Sequence, residues 1–429
     1  MPAALAKCSE SYDPMTALTR IISVIEAIGR RSAYIALLYE NPLALTQLIR
    51  LITASQSINS WVSQHPVILD ELLDPISSFR TQSKKEIKAE IERKLSPHSP
   101  CDLENLMDQL REFRQGYTLR LAAADIANTI SQAEVSIALC SLAEALLEQS
   151  LELSAASLQS VSGSIDMEGI AVVAYGKLGS RELGYNSDLD IIFIFEHGIN
   201  PVEKDLYRGY HRLLQRSIHI LTTRTSAGQL YEIDTRLRPD GRSGSAITPL
   251  DKFVAYQLEK AQVWEHQALV RARVIVGSKS LETIFNQLRK QVLCLPRKEK
   301  ELQQSVVSMR KKISRGNQRS ASDNFDLKFG RGGLLDIEFM LQYLILRWAN
   351  QHPQLVEGTE SKVLIQALVE TKILNAMDGE LLVEILGKYL RTQNLLKLQE
   401  KSTLIPEGQF VSERQWVSQL WQRFLAYSE

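Results

Sequence analysis

One strand-rich stretch interrupts a chain otherwise patterned for helix, and that asymmetry narrows the architectures open to it. Gly169 to Tyr175 and Asp188 to Phe195 are short β-branched and aromatic runs that read as buried strands. Tyr231 to Leu237 reads as a third strand. Its alternation puts Tyr231, Ile233 and Leu237 on one side and Glu232, Asp234, Arg236 and Arg238 on the other. Val270 to Val276 is a candidate fourth, after a helical segment around Phe253 to Trp264. Between the second and third runs, the spacing of Leu206, Tyr210, Leu213, Leu214, Ser217 and Leu221 predicts an amphipathic helix.

The flanks repeat at helical period. From Met15 to about Lys94 apolar residues recur as in Leu18, Ile21, Ile22, Ile25 and Ile28, with Pro42 and Pro66 as breaks. The polar stretch Ser96 to Asp102 separates this from a second helix carrying Leu103, Leu106, Met107 and Leu110, and helix continues through Ala122 to Leu153. After Ser278 the spacing of Leu281, Ile284, Phe285 and Leu288 resumes it to the C-terminus, with a break at Asn324 to Gly333. The expected fold class is α+β and mostly helical. Its expected divisions are an N-terminal helical region (1–160), a central mixed sheet with helices (161–277) and a C-terminal helical bundle (278–429).

Several function classes are disfavoured. Fifty basic residues balance fifty acidic ones, whereas nucleic-acid binders usually carry an excess of Lys and Arg. The longest apolar runs fall far short of the roughly 20 residues that span a bilayer. Met1 to Ser11 has no long apolar centre of the secretory type, so the cytoplasm is the expected compartment. Cys8, Cys101, Cys140 and Cys294 form no C-x-x-C pair, and no histidine sits in an H-E-x-x-H or His-Asp pattern.

Chemistry concentrates where the first strand ends and the second begins. Residues i and i+2 of a strand project to one side, about 7 Å apart, so Asp188 and Asp190 stand together while Leu189, Ile191 and Phe193 face away. Like charges this close call for a cation between them, and paired Mg²⁺ ions roughly 3.5–4 Å apart serve that purpose in phosphoryl chemistry. Asp234 completes a three-carboxylate set if its strand lies beside the second. The Gly179-Ser180 turn offers backbone N–H groups and a hydroxyl for close approach to a polyphosphate.

Gly179-Ser180 with Asp188-Leu-Asp190 resembles the nucleotidyltransferase signature. Longer strings are similar to the glutamine synthetase adenylyltransferases: residues 172–193 (VVAYGKLGSRELGYNSDLDIIF), 231–239 (YEIDTRLRP), 264–273 (WEHQALVRAR), 325–339 (FDLKFGRGGLLDIEF), 27–39 and 69–75. The resemblance implies a nucleotidyltransferase-fold sheet, with Asp188 and Asp190 binding Mg²⁺, Asp234 the third acid, and Gly179 and Ser180 meeting the phosphates of ATP. It implies transfer of AMP to a tyrosine of glutamine synthetase, with the PII signal protein and glutamine as candidate regulators. Family members usually carry two such modules. This sequence has one, in the order of the C-terminal, adenylylating half.

Asp234 is the expected base for the tyrosine hydroxyl, because an unperturbed phenol has a pKa near 10. Arg236 and Arg238 either neutralise the triphosphate or pair with the acids. Arg271 and Arg273 either reach the same pocket or, the favoured reading, form a solvated strand edge; Arg310 to Lys312 with Arg315 and Arg319 read as a solvated helix face, with docking of an acidic partner as the alternative. Asp336 and Glu338 suit the dipole of a helix start, and the resemblance places Lys328 near the phosphates. The rival expectations are a PII uridylyltransferase-like enzyme and a non-catalytic module that binds glutamine synthetase.

Overall fold

A computed structural model describes residues 2–29, 32–72, 80–99, 102–162, 165, 167–196, 203–317 and 324–425. Cys101, Arg319 and part of the 69–75 string fall outside them.

Eight of the described helices precede the sheet: α1 (Pro2–Ser9), α2 (Pro14–Ile28), α3 (Ser32–Glu40), α4 (Pro42–Ala54), α5 (Gln56–Gln64), α6 (Lys84–Leu95), α7 (Leu103–Ile126) and α8 (Gln132–Ser162). Their starts are written locally. Asp13 accepts the Thr16 N–H ahead of Pro14, and Ser83 and Glu86 form a reciprocal capping box on α6. Asp102, the last residue of the expected polar break, caps α7 through the Asn105 N–H.

The sheet region comprises β1 (Ile170–Ala174), α9 (Gly176–Gly179), β2 (Leu189–Phe195), α10 (Glu203–Thr222), β3 (Ile233–Asp234), β4 (Ile247–Pro249), α11 (Leu250–Glu259), α12 (Val263–Leu269) and β5 (Arg273–Val276). Strand order is β3-β2-β1-β5, with β4 also pairing β2. β1 runs antiparallel to β2 and β5, and β2 runs parallel to β3 and β4. The C-terminal part comprises α13 (Lys279–Leu293), α14 (Glu299–Asn317), β6 (Asn324–Asp326), α15 (Leu334–Trp348), α16 (Ser361–Glu370), α17 (Ala376–Leu398), β7 (Leu404–Pro406) and α18 (Val411–Phe424).

The sheet is buried on both faces, which is why β1 and β2 are almost unbroken apolar runs. Ile170, Val172, Ala174, Ile191 and Phe193 join one core with Leu142 and Leu146 of α8 and Leu213 and Leu214 of α10. Ala171, Val173, Ile192 and Ile194 join a second core with Phe285 of α13, Met340 of α15 and Trp421 of α18. The strand ends are therefore held between two helical layers, and their polar residues emerge at one edge. Among the described residues no helix is long and apolar enough to cross a membrane.

Two strand expectations are corrected. Tyr231 to Leu237 pairs only at Ile233 and Asp234, because the Asp234 carboxylate accepts the Arg236 N–H at 2.9 Å and turns the chain. The fourth strand starts at Arg273, since Val270 and Arg271 lie in hydrogen-bonded turns that close α12. The β6–β7 pair inside the C-terminal helical region was not expected.

Candidate active site

The carboxylates meet through register. Asp190, second residue of β2, is paired in the parallel ladder with Asp234 of β3, and Asp188 stands exposed just before β2. The adjacency assumed from sequence is present. Asp190 is half-buried, and burial first, then the Asp188 and Asp234 charges, push its pKa up to about 6. Asp234 is gripped by the Arg236 guanidinium, whose Nε donates to Oδ1 at 2.9 Å and to Oδ2 at 2.7 Å. Of the two readings open for Arg236, pairing with an acid is the one present.

These residues border a cleft of about 520 Å³. The β1–α9 turn supplies Gly176 and Lys177, and the C-terminal elements close the opposite wall with Lys328, Glu338, Gln393 and Lys397. Gly176 is required here: its φ is +53°, and a Cβ would overlap the Asp190 carboxylate. Lys177 Nζ donates to the neutral amide oxygen of Gln393. Burial, which outweighs the opposing Glu338 charge, pushes its pKa down to about 8, and Lys328, Arg271 and Lys397 add to the fall. Asp326 shapes the loop that presents Lys328, accepting the N–H groups of Lys328 and Phe329 at 2.9 and 3.0 Å and the Thr403 hydroxyl at 2.8 Å. Lys177, Lys328 and Lys397 thus border the same cleft as the three carboxylates, a mixture of charge that suits a polyphosphate held with divalent cations.

Other expected residues lie elsewhere. Gly179 and Ser180 do not border the cleft. Their N–H groups are spent on Tyr175 and Gly176 carbonyls, and the buried Ser180 hydroxyl engages Glu182 and Arg271. As placed, they shape the turn that presents Lys177. Arg238 is turned to the Thr235 hydroxyl and the Gly244 carbonyl. For Arg271 and Arg273 the solvated-edge reading is corrected, and the alternative, reaching the pocket, holds for Arg271 alone. Arg271, 4% exposed, pairs with Glu182 and, at 3.0 Å, with Glu338, and it reaches the cleft. Arg273 pairs with Glu144 of α8 and donates to the Gly179 carbonyl.

The helix-face reading changes at Arg310, while Lys312 and Arg315 are exposed and Asp336 lies in the first turn of α15 as expected. Arg310 is held by the fully buried Asp336 at 2.6 Å, and Asp336 also accepts the Gly332 N–H at 2.7 Å. Burial raises the Glu338 pKa, but the Arg271 charge, then Lys177, bring it below the ordinary carboxylate range.

Sequence reasoning missed Gly176, Lys177, Gln393 and Lys397. The first two carried a signal, a glycine and a cation directly after a buried strand. Gln393 and Lys397 carried none, being polar positions on a long amphipathic helix.

Hard carboxylate oxygens are the donor type Mg²⁺ prefers, and the Asp188 and Asp234 charges add to burial in raising the Asp190 pKa. The donor chemistry fits the ion. Among the described residues, no three His, Cys, Asp or Glu side chains are gathered closely enough to enclose a metal on their own. Mg²⁺ commonly takes only one or two carboxylates, with substrate phosphates and water completing the shell.

The family model described as glutamate-ammonia ligase adenylyltransferase matches residues 45–288. A second model, GlnD PII-uridylyltransferase, matches residues 307–404. The chain is similar to the bifunctional glutamine synthetase adenylyltransferase/adenylyl-removing enzyme of Thioalkalivibrio sulfidiphilus, with 38% identity covering 99% of this chain and 45% of that protein. It is similar also to the enzymes of that name from Nitrosococcus oceani, at 40% over 99% and 45%, and Vibrio parahaemolyticus, at 38% over 96% and 45%. The chain spans about half the length of the curated relatives it matches.

Proposed function

The chain belongs to the glutamate-ammonia ligase adenylyltransferase family, and from that membership we propose that it transfers AMP from ATP to a tyrosine of glutamine synthetase, as the adenylylating half of a two-module enzyme. The observation that carries the reading is the pairing of Asp190 with Asp234 across β2 and β3, in a cleft also bordered by Asp188 and by Lys177, Lys328 and Lys397.

The phenolic oxygen attacks the α-phosphorus, forming the Tyr O–P bond. The bond from that phosphorus to the bridging oxygen breaks, and pyrophosphate leaves with the electron pair. Asp234 takes the phenolic proton once Arg236 is drawn towards phosphate charge. Lys177, Lys328 and Lys397 hold the departing pyrophosphate, and Arg271 fixes Glu338 so that the cleft keeps its shape. Asp188, Asp190 and Asp234 are the residues that would hold Mg²⁺, in two ions. Bound there, the metal neutralises phosphate charge and lowers the pKa of a nearby hydroxyl.

The divisions 1–160, 161–277 and 278–429, the cytoplasmic setting and regulation by PII and glutamine belong to the same proposal. The match of residues 307–404 to the PII-uridylyltransferase model supports the PII connection and keeps one rival reading, transfer of UMP to PII. Incubation with Mg²⁺, glutamine synthetase and ATP labelled at the α-phosphate, with labelled UTP and PII in parallel, distinguishes the readings. Label on glutamine synthetase is expected. Label only on PII supports the rival, and label on neither supports a non-catalytic binding module.

A further inference from the structure

A second cavity, of about 670 Å³, meets the catalytic cleft at Ser187 and Asp188 and shares no other lining residue with it. Helices α5 and α7 contribute Trp61, Arg114 and Gln115 to its walls, and the turn after α10 contributes Arg224. The Gln115 side chain is 4% exposed. Its Nε2 donates to the Ala227 carbonyl at 2.8 Å, while its Oε1 has no hydrogen-bond partner among the described residues. A buried amide oxygen left unpaired costs roughly 1–3 kcal/mol. Arg114 lies over the Tyr231 ring, 4.7 Å from its centroid, and Arg224 stands exposed at the margin.

In phosphoryl-type transfer the attacking and leaving oxygens lie roughly in line across the phosphorus. The cations suited to pyrophosphate, Lys177, Lys328 and Lys397, all border the first cleft and none borders the second cavity. The acceptor must therefore reach Asp188 by another path, and the second cavity is one that opens there.

We infer that this cavity receives the tyrosine-bearing segment of the acceptor protein, an inference that rests on the transfer reading above. An extended polypeptide matches its chemistry. Trp61 packs against an apolar side chain, and the cavity offers both signs of charge, Arg224 as well as Glu232 and Glu400, to the polar groups of the segment. The N-terminal helices thereby become determinants of acceptor specificity and not only a scaffold for the sheet.

The test is steady-state transfer of labelled AMP by the full chain as glutamine synthetase is varied, comparing the unsubstituted protein with Arg224→Glu, at an exposed position, and Ser60→Trp, which fills the α5 side. Each substitution is expected to raise KM for glutamine synthetase about tenfold or more, which corresponds to about 1.4 kcal/mol of lost binding. ATP affinity by titration and the thermal midpoint are expected to stay unchanged. Folded variants with an unaltered KM for glutamine synthetase overturn the acceptor route alone. Absence of label on glutamine synthetase with the unsubstituted protein overturns both this inference and the reading beneath it.

Discussion

Asp190→Asn is expected to reduce AMP transfer by about 10³-fold or more while making the protein more resistant to heat near neutral pH. The loss follows from position. Asp190 is the carboxylate at the junction of β2 and β3, where Asp188 and Asp234 flank it. An amide of the same shape keeps the packing but neither attracts a divalent cation nor balances phosphate-bound metal charge.

The gain in stability follows from the same burial. The folded-state pKa of Asp190 is pushed up to about 6, against roughly 3.9 for an unfolded Asp. Between those values the folded chain holds more protons than the unfolded one, so stability falls as pH rises through the window, and the penalty is complete above it. Asparagine has no charge to desolvate. The advantage of the variant is expected to be about 1–2 kcal/mol near neutral pH and to vanish below about pH 4. Thermal melts at the two pH values, with transfer assays, check this. A variant that melts lower at neutral pH, or that transfers AMP at the original rate, contradicts the assignment.

Asp234→Asn carries the second large effect, because it removes the assigned base and one of the residues that would hold Mg²⁺. A carboxylate positioned to take a proton contributes about 10²–10⁴-fold, and a loss in that range is expected. Asp234 changes partners in the proposed cycle, from Arg236 at rest to the acceptor hydroxyl and the Mg²⁺ it would help hold during transfer. The resting pair is a surface one, the Arg236 side chain being 62% exposed, so its loss costs little stability. Transfer rate and ATP titration with Mg²⁺ are measured on the same preparation. Normal MgATP binding with undiminished transfer removes Asp234 as the base.

Legibility in the sequence tracks how local the determining physics is. β1 and β2 are readable because burial on both faces writes unbroken apolar runs, and the start of α7 is readable from the polar stretch that ends at Asp102. The end of β3 was not readable, since an alternating pattern continues through Leu237 and only the Asp234 side chain, capturing the Arg236 N–H, stops it. Arg271 and Arg273 share a spacing of two that mimics a strand edge, yet each answers to a distant acid, Glu338 and Glu144. Arg310 likewise looks solvated in a basic run, but its partner Asp336 lies beyond a loop. The wall formed by Gln393 and Lys397 depends on how α17 packs far along the chain, and no short window of sequence carries that.

Divalent-cation capture by the aspartates is the central claim, and anomalous diffraction from crystals soaked with Mn²⁺ and a non-hydrolysable ATP analogue measures it most directly. Anomalous density is expected between Asp188 and Asp190, with the β- and γ-phosphates lying against Lys177 and Lys328. Analogue bound with no metal peak, and with the two carboxylates directed apart into solvent, contradicts the account.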